Sequence, residues 1–246
     1  MPNLTSLEGK RILVTGGTTG MGRETIRLLA AEGARIVTFG REQEPLDEAI
    51  ANAQGGSGEV SGLTADAAKR EDLDAVFAAV DERLGGLDML VACAAIGADP
   101  LPEMEEDAWR YVIETNLVGY LACAQHAIKR MEAGGGHLLF IGSISAEVKA
   151  AGESVYSATK AGVQAFAETL RKEISASKNI KVSIIQPGST DTDMQEPSTE
   201  EKRQAVADQE MLMAEEVADA IRYVLTRSDR TDVVTLRIEP RVQVTS

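Results

Sequence analysis

With 246 residues, 39 acidic against 25 basic side chains and a formal net charge of −14, the chain has room for one or two domains and a surface that repels nucleic acid and anionic lipid. Its two cysteines, Cys93 and Cys123, lie in apolar segments, which fits a reducing, cytoplasmic compartment and not a disulfide framework. Met1 to Lys10 is polar without an apolar centre, and no run approaches about 18 apolar residues, so neither a signal peptide nor a membrane span is expected.

In chain order, short apolar runs at 11–15, 35–39, 60–64, 87–93, 137–142, 180–186 and 232–238, most of them rich in Val, Ile or Leu, read as strands. Between them, helical patterns cover 21–32, 43–53, 69–84, 103–132, 155–177 and 214–227. Such alternation implies right-handed βαβ units: an α/β, doubly wound, mostly parallel sheet of about seven strands with helices on both faces. No linker or composition break interrupts it, so 1–246 is expected to form one domain. Ligands in such sheets bind at the carboxyl ends of strands. Gly16, Cys93, Ser143 and Pro187 all fall there.

The first strand runs into Gly16-Gly17-Thr18-Thr19-Gly20-Met21-Gly22 and then a helix. Glycines let the backbone approach an anion, and the helix start points amides at it. The second strand ends in Gly40 and then Arg41, with no carboxylate until Glu42. In dinucleotide folds an acid at this point holds a ribose 2′-hydroxyl, whereas an arginine accepts a 2′-phosphate. NADP is therefore expected over the alternative, NAD.

Further along, Tyr156 and Lys160 lie four apart at the start of a helix and share a face. An ammonium beside a phenol favours the phenolate, so the tyrosine is expected to titrate below its usual pKa and to exchange a proton with an alcohol or carbonyl oxygen. Ser143, thirteen positions upstream at a strand end, is placed to hold that oxygen. His126 and His137 read as structural or solvated, and two histidines are too few for a metal cluster.

The segment 189–213 breaks the alternation beside this region and is expected to form a substrate lid. Ser198 with Glu201 is a capping-box pattern for a short helix within it. Met194, Met211, Leu212 and Met213 either line a pocket or anchor the lid. Two helices, from Trp109 to Met131 and from near Val155, carry apolar residues around more than one face, so a partner chain is expected to cover them.

Together, the glycine turn, Ser143, Tyr156-x-x-x-Lys160 and Pro187-Gly188, in this order, resemble the short-chain dehydrogenase/reductase family in its compact, Rossmann-like form. The resemblance covers nearly the whole chain. It implies nicotinamide-dependent interconversion of an alcohol and a ketone or aldehyde, with Ser143, Tyr156 and Lys160 as catalytic residues and Asn116 completing a proton relay. It places the cofactor along Gly16, Thr18, Thr19, Gly20, Met21 and Gly22, then Asp66 and Ala67 on the adenine side. Cys93, Ala94 and Ala95 would lie by the ribose. Pro187, Gly188, Ser189, Thr190 and Thr192 would surround the nicotinamide, which Tyr156 and Lys160 also approach. Ser145 and Met194 would line the substrate; no metal is expected. The family's usual dimer joins the two apolar helices, giving a homodimer or homotetramer. Where the family carries N-N-A-G, this chain has Ala92-Cys93-Ala94-Ala95, which puts the packing beside the ribose in question. Cys93 itself reads as a small buried filler. A non-catalytic NAD(P)-binding redox sensor, and a dehydratase or epimerase of the same superfamily, are the other functions compatible with this pattern.

Overall fold

The structure, a computed structural model, describes residues 4–192 and 199–243. Seven strands form one parallel sheet: β1 (Arg11–Thr15), β2 (Arg35–Gly40), β3 (Glu59–Thr64), β4 (Met89–Ala92), β5 (Gly136–Ile141), β6 (Ile180–Pro187) and β7 (Thr235–Ile238). Their order is β3-β2-β1-β4-β5-β6-β7. The chain winds outward from β1 to β3, then crosses back to β4 on the other side of β1. In register, Thr15 sits between Phe39 and Ala92. The topological switch point, where open parallel sheets bind ligands, is thus the gap beyond the ends of β1 and β4.

The strands between the two edges are apolar on both faces because helices cover both. On one face Leu13, Leu90, Leu138 and Phe140 pack under α3 (Arg70–Leu84), α5 (Gly119–Met131) and α7 (Ser154–Lys178). On the other, Ile12, Val14, Val91 and Ile141 meet α1 (Gly20–Ala31) and α9 (Ala214–Leu225). The period-2 alternation within each strand therefore divides one apolar run between two cores. α2 (Gln43–Asn52) and β3 complete the β2 edge.

The expected helix over 103–132 is not continuous. A 3₁₀ turn at Leu101–Glu103 precedes α4 (Glu106–Ile113), a π turn at Glu114–Val118 and then α5. A short helix that sequence did not suggest, α6 (Ser145–Val148), follows β5. α8 (Thr199–Ala207) stands where the capping pattern placed a helix, although Ser198 lies outside the described residues. No helix among the described residues is long and apolar enough to cross a membrane.

The apolar surplus of the two helices is smaller than the sequence suggested. Val112, Tyr120, Cys123 and Leu170 are buried within the chain, and Phe166 packs edge-on against Phe140, ring centres 5.6 Å apart. What stays exposed is Val118 at 43% and Leu121 at 39%. The π turn accounts for this, because it shifts the helical phase between α4 and α5 and turns Tyr120 and Cys123 inward. The segment after β6 is tied at its base: Thr190 pairs with Leu212, and the Lys202 ammonium donates to the Thr192 carbonyl at 2.7 Å. Met211 and Leu212 are buried, so they anchor this segment; Met213 is exposed.

Candidate active site

Two adjoining cavities of about 390 Å³ each run along the carboxyl edge of the sheet and meet at Met21, Cys93, Ala95, Gly97 and Thr192. All the residues expected to act or bind line one or both, with two exceptions. Asn116 is buried behind the wall, and Met194 lies outside the described residues.

The first cavity is built on the β1–α1 turn. Gly16 has φ +67°, and a Cβ there would stand 2.7 Å from the Ala94 Cα. At Gly22 a Cβ would lie 2.1 Å from the Gly16 carbonyl oxygen, so only glycine lets the helix start this close to the strand end. Thr19 caps α1 with extended backbone, its side chain makes no capping hydrogen bond, and no acidic residue occupies the first turn. The first amides of α1 are therefore left for an anion. At the far end, the Arg41 guanidinium donates from Nη1 to the Tyr111 hydroxyl at 3.2 Å, and that hydroxyl donates to Asp66 Oδ2 at 2.9 Å. Asp66 Oδ1 accepts the Ala68 amide at 2.9 Å, which fixes the carboxylate. Sequence reasoning missed Tyr111: it reaches this end from α4 by tertiary packing, and no local motif marks it.

The second cavity holds the reactive side chains. Ser143 follows β5, and its Oγ accepts the Ser145 amide at 3.1 Å. α7 carries Tyr156 and Lys160 one turn apart. Lys160 is 1% exposed, donates to the Ile141 carbonyl at 3.0 Å, and lies 5.6 Å from the Tyr156 ring centre. Burial pushes its ammonium down to about 8, with Cys93 opposing. Tyr156 does not titrate low as the sequence suggested. Burial pushes its phenol up to about 12, against a hydrogen bond with Ser143 that draws it down, and Glu153 adds to the rise. Desolvation is the largest influence on the phenol, and the nearby Lys160 ammonium donates to the Ile141 carbonyl.

Asn116 sits at the centre of the π turn. Its amide clamps the strand extension after β4, accepting the Ile96 amide and donating to the Ile96 carbonyl, each at 2.8 Å. On the opposite wall, the Ser189 amide donates to Gln243 Oε1 at 3.1 Å, bringing the C-terminal tail to the Pro187–Gly188 turn. Gln243, like Glu153, was not foreseen; only the spacing of Glu153 from Tyr156 carried a local signal.

A sequence profile of the short chain dehydrogenase family matches residues 10–203. The chain belongs to that family. An uncharacterized oxidoreductase of Staphylococcus aureus is 31% identical over 239 residues, 96% of this chain and 100% of that protein. Carbonyl reductase family member 4 of Danio rerio is 37% identical over 184 residues, 74% of this chain and 76% of that one. Among solved structures, a short chain dehydrogenase from Burkholderia cenocepacia in complex with NADP superposes with a TM-score of 0.85 at 28% identity, covering 96% of this chain and 98% of that one. A variant of actinorhodin polyketide ketoreductase with NADPH gives a TM-score of 0.84 at 27% identity, with the same coverage.

Where this short chain dehydrogenase departs from the family's N-N-A-G, a threonine hydroxyl holds the segment. Thr15 Oγ1, at the end of β1, accepts the amides of both Cys93 and Ala94 at 3.0 Å. Ala95 keeps an ordinary negative φ, so the missing glycine costs no strain there. Cys93 is buried, with its thiol pushed up to about 12 by desolvation, and is a packing residue rather than a nucleophile.

Proposed function

We propose that the chain is an NADP-preferring oxidoreductase interconverting an alcohol and a ketone or aldehyde. The observation that carries this reading is the placement of Ser143, Tyr156 and Lys160 in a cavity continuous with the glycine-turn cavity. The two cavities fit a dinucleotide: Gly16 and Gly22 leave backbone room for the pyrophosphate at the start of α1, and Arg41 stands at the adenosine end. The bound cofactor supplies hydride chemistry. Ser143 Oγ holds the carbonyl oxygen. Tyr156, fully protonated at neutral pH, gives that oxygen its proton. Lys160 steadies the phenolate left behind, and completes the wall beside the ribose. Asn116 fixes the Ile96 segment and connects the site to the helix behind it. Of the segment 189–213, whose residues 193–198 lie outside the described set, Ser189, Thr190 and Thr192 line the second cavity. Following absorbance of the reduced cofactor with a panel of carbonyl compounds tests this reading; no oxidation with any of them counts against it.

Cofactor choice rests on Arg41. Its guanidinium can offer a 2′-phosphate a bidentate, charge-assisted contact, and Gly40 offers no carboxylate to a 2′-hydroxyl. Arg41→Ala is expected to narrow the NADP-over-NAD ratio of kcat/KM by about tenfold, the scale of one charge-assisted hydrogen bond. Equal efficiency of the unmutated protein with NAD overturns the preference.

We also propose that two copies pair through the face carrying Val118 and Leu121, as a homodimer or within a homotetramer with two-fold contacts. Leu121→Asp is expected to release monomer, read by light scattering after size exclusion. Leu121 is the right probe because a charge at Leu170 would strike the chain's own core. A stable wild-type monomer at micromolar concentration overturns the proposal.

A further inference from the structure

We propose that Glu153 is a recognition site for a cationic group on the substrate, so that the preferred substrates are amino ketones and amino alcohols. The inference rests on the oxidoreductase reading above and adds the substrate class. Glu153 lines the catalytic cavity with Ser143, Tyr156 and Lys160, and lies three residues before Tyr156. It stands at the N-cap position of α7 yet makes no capping hydrogen bond through its side chain. No ion pair or side-chain hydrogen bond engages its carboxylate among the described residues. It is half-buried, and close enough to Tyr156 to raise the phenol.

The one other charged side chain lining this cavity, among the described residues, is Lys160, which is buried and bonded to Ile141. Lys149 is exposed and outside the lining. An anionic substrate would therefore meet a carboxylate with no cation free to offset it. An ammonium finds an unpaired acceptor three residues before the proton donor, on the same cavity wall, their Cβ atoms about 5–6 Å apart by helical spacing. That separation places the cation a few bonds from the reacting carbonyl, while Ala98, Ile144 and Val148 provide apolar contact for the carbon frame.

Three small ketones test it: dimethylaminobutanone, its uncharged isostere methylhexanone, and the keto acid levulinate. Calorimetric titration into the NADP-saturated protein gives their affinities without turnover. The amine is expected to bind about tenfold tighter than its isostere, the scale of a charge-assisted contact, with levulinate weakest. Glu153→Gln should collapse the difference between amine and isostere. An amine bound no more tightly than methylhexanone overturns the proposal, as does a preference that survives in Glu153→Gln. Oxidation of NADPH by methylhexanone, followed separately, tests the oxidoreductase reading, and the order of affinities stands or falls without it.

Discussion

Tyr156→Phe should cut turnover by roughly 10²–10⁴-fold, the contribution of one positioned acid–base group. Phenylalanine keeps the ring near the Lys160 ammonium, 5.6 Å away in the wild type, and removes only the hydroxyl. The fold and the cofactor cavity should therefore survive. Stopped-flow oxidation of NADPH reads the chemistry, and quenching of protein fluorescence reads cofactor binding. The two should separate, with turnover lost and affinity held within a few-fold. Near-normal turnover would remove Tyr156 from the mechanism. Because the wild-type phenol titrates at about 12, well above neutrality, the residue is a donor throughout the ordinary pH range. The reductive direction should accordingly show no loss of this acid between neutral pH and the titration of Lys160 near 8.

Gly22→Ala should weaken cofactor binding through backbone geometry alone. The added Cβ would lie 2.1 Å from the Gly16 carbonyl oxygen and 2.8 Å from its carbon, both backbone atoms without a rotamer to yield. Either α1 retreats from the strand end or the turn opens, and each displaces the α1 amides at the first cavity, where the pyrophosphate is proposed to bind. Overpacking of this kind costs about 1–3 kcal/mol, which if lost from binding is about 5-fold to 150-fold in affinity. Gly134→Ala is the control, since nothing stands within 4 Å of a Cβ there. Calorimetry with NADP should show weakened binding in the first variant and wild-type binding in the second. Equal affinities would mean that the turn does not hold the pyrophosphate.

Much of the fold was legible because its signals are local and periodic. Each strand of the sheet corresponds to an apolar run, and the glycine turn and the Tyr156-to-Lys160 spacing carry their geometry within a few residues. What escaped was set by tertiary contact. The π turn at Glu114–Val118 has no breaker residue, and it decides which of Val118, Leu121 and Tyr120 face outward. Spacing places Lys160 near Tyr156 but does not reveal how deeply the phenol is buried, and burial is what raises it. Tyr111 lies 45 positions from its partner Asp66, and Gln243 lies 54 from its partner Ser189. No motif can announce pairs so far apart.

The hold of Gln243 on the Ser189 amide has a practical side for anyone handling the protein. A Cβ on Gly188 would come within 2.2 Å of the same Gln243 oxygen, so tail and turn fit closely there. Gln243 itself lines the catalytic chamber, so an extension attached directly after it begins at a residue of that wall. Handles placed ahead of Leu4, which is 59% exposed, avoid that tether. Two preparations differing only in the end that carries the handle can therefore differ in apparent KM, and kinetic comparisons between them should begin by removing it.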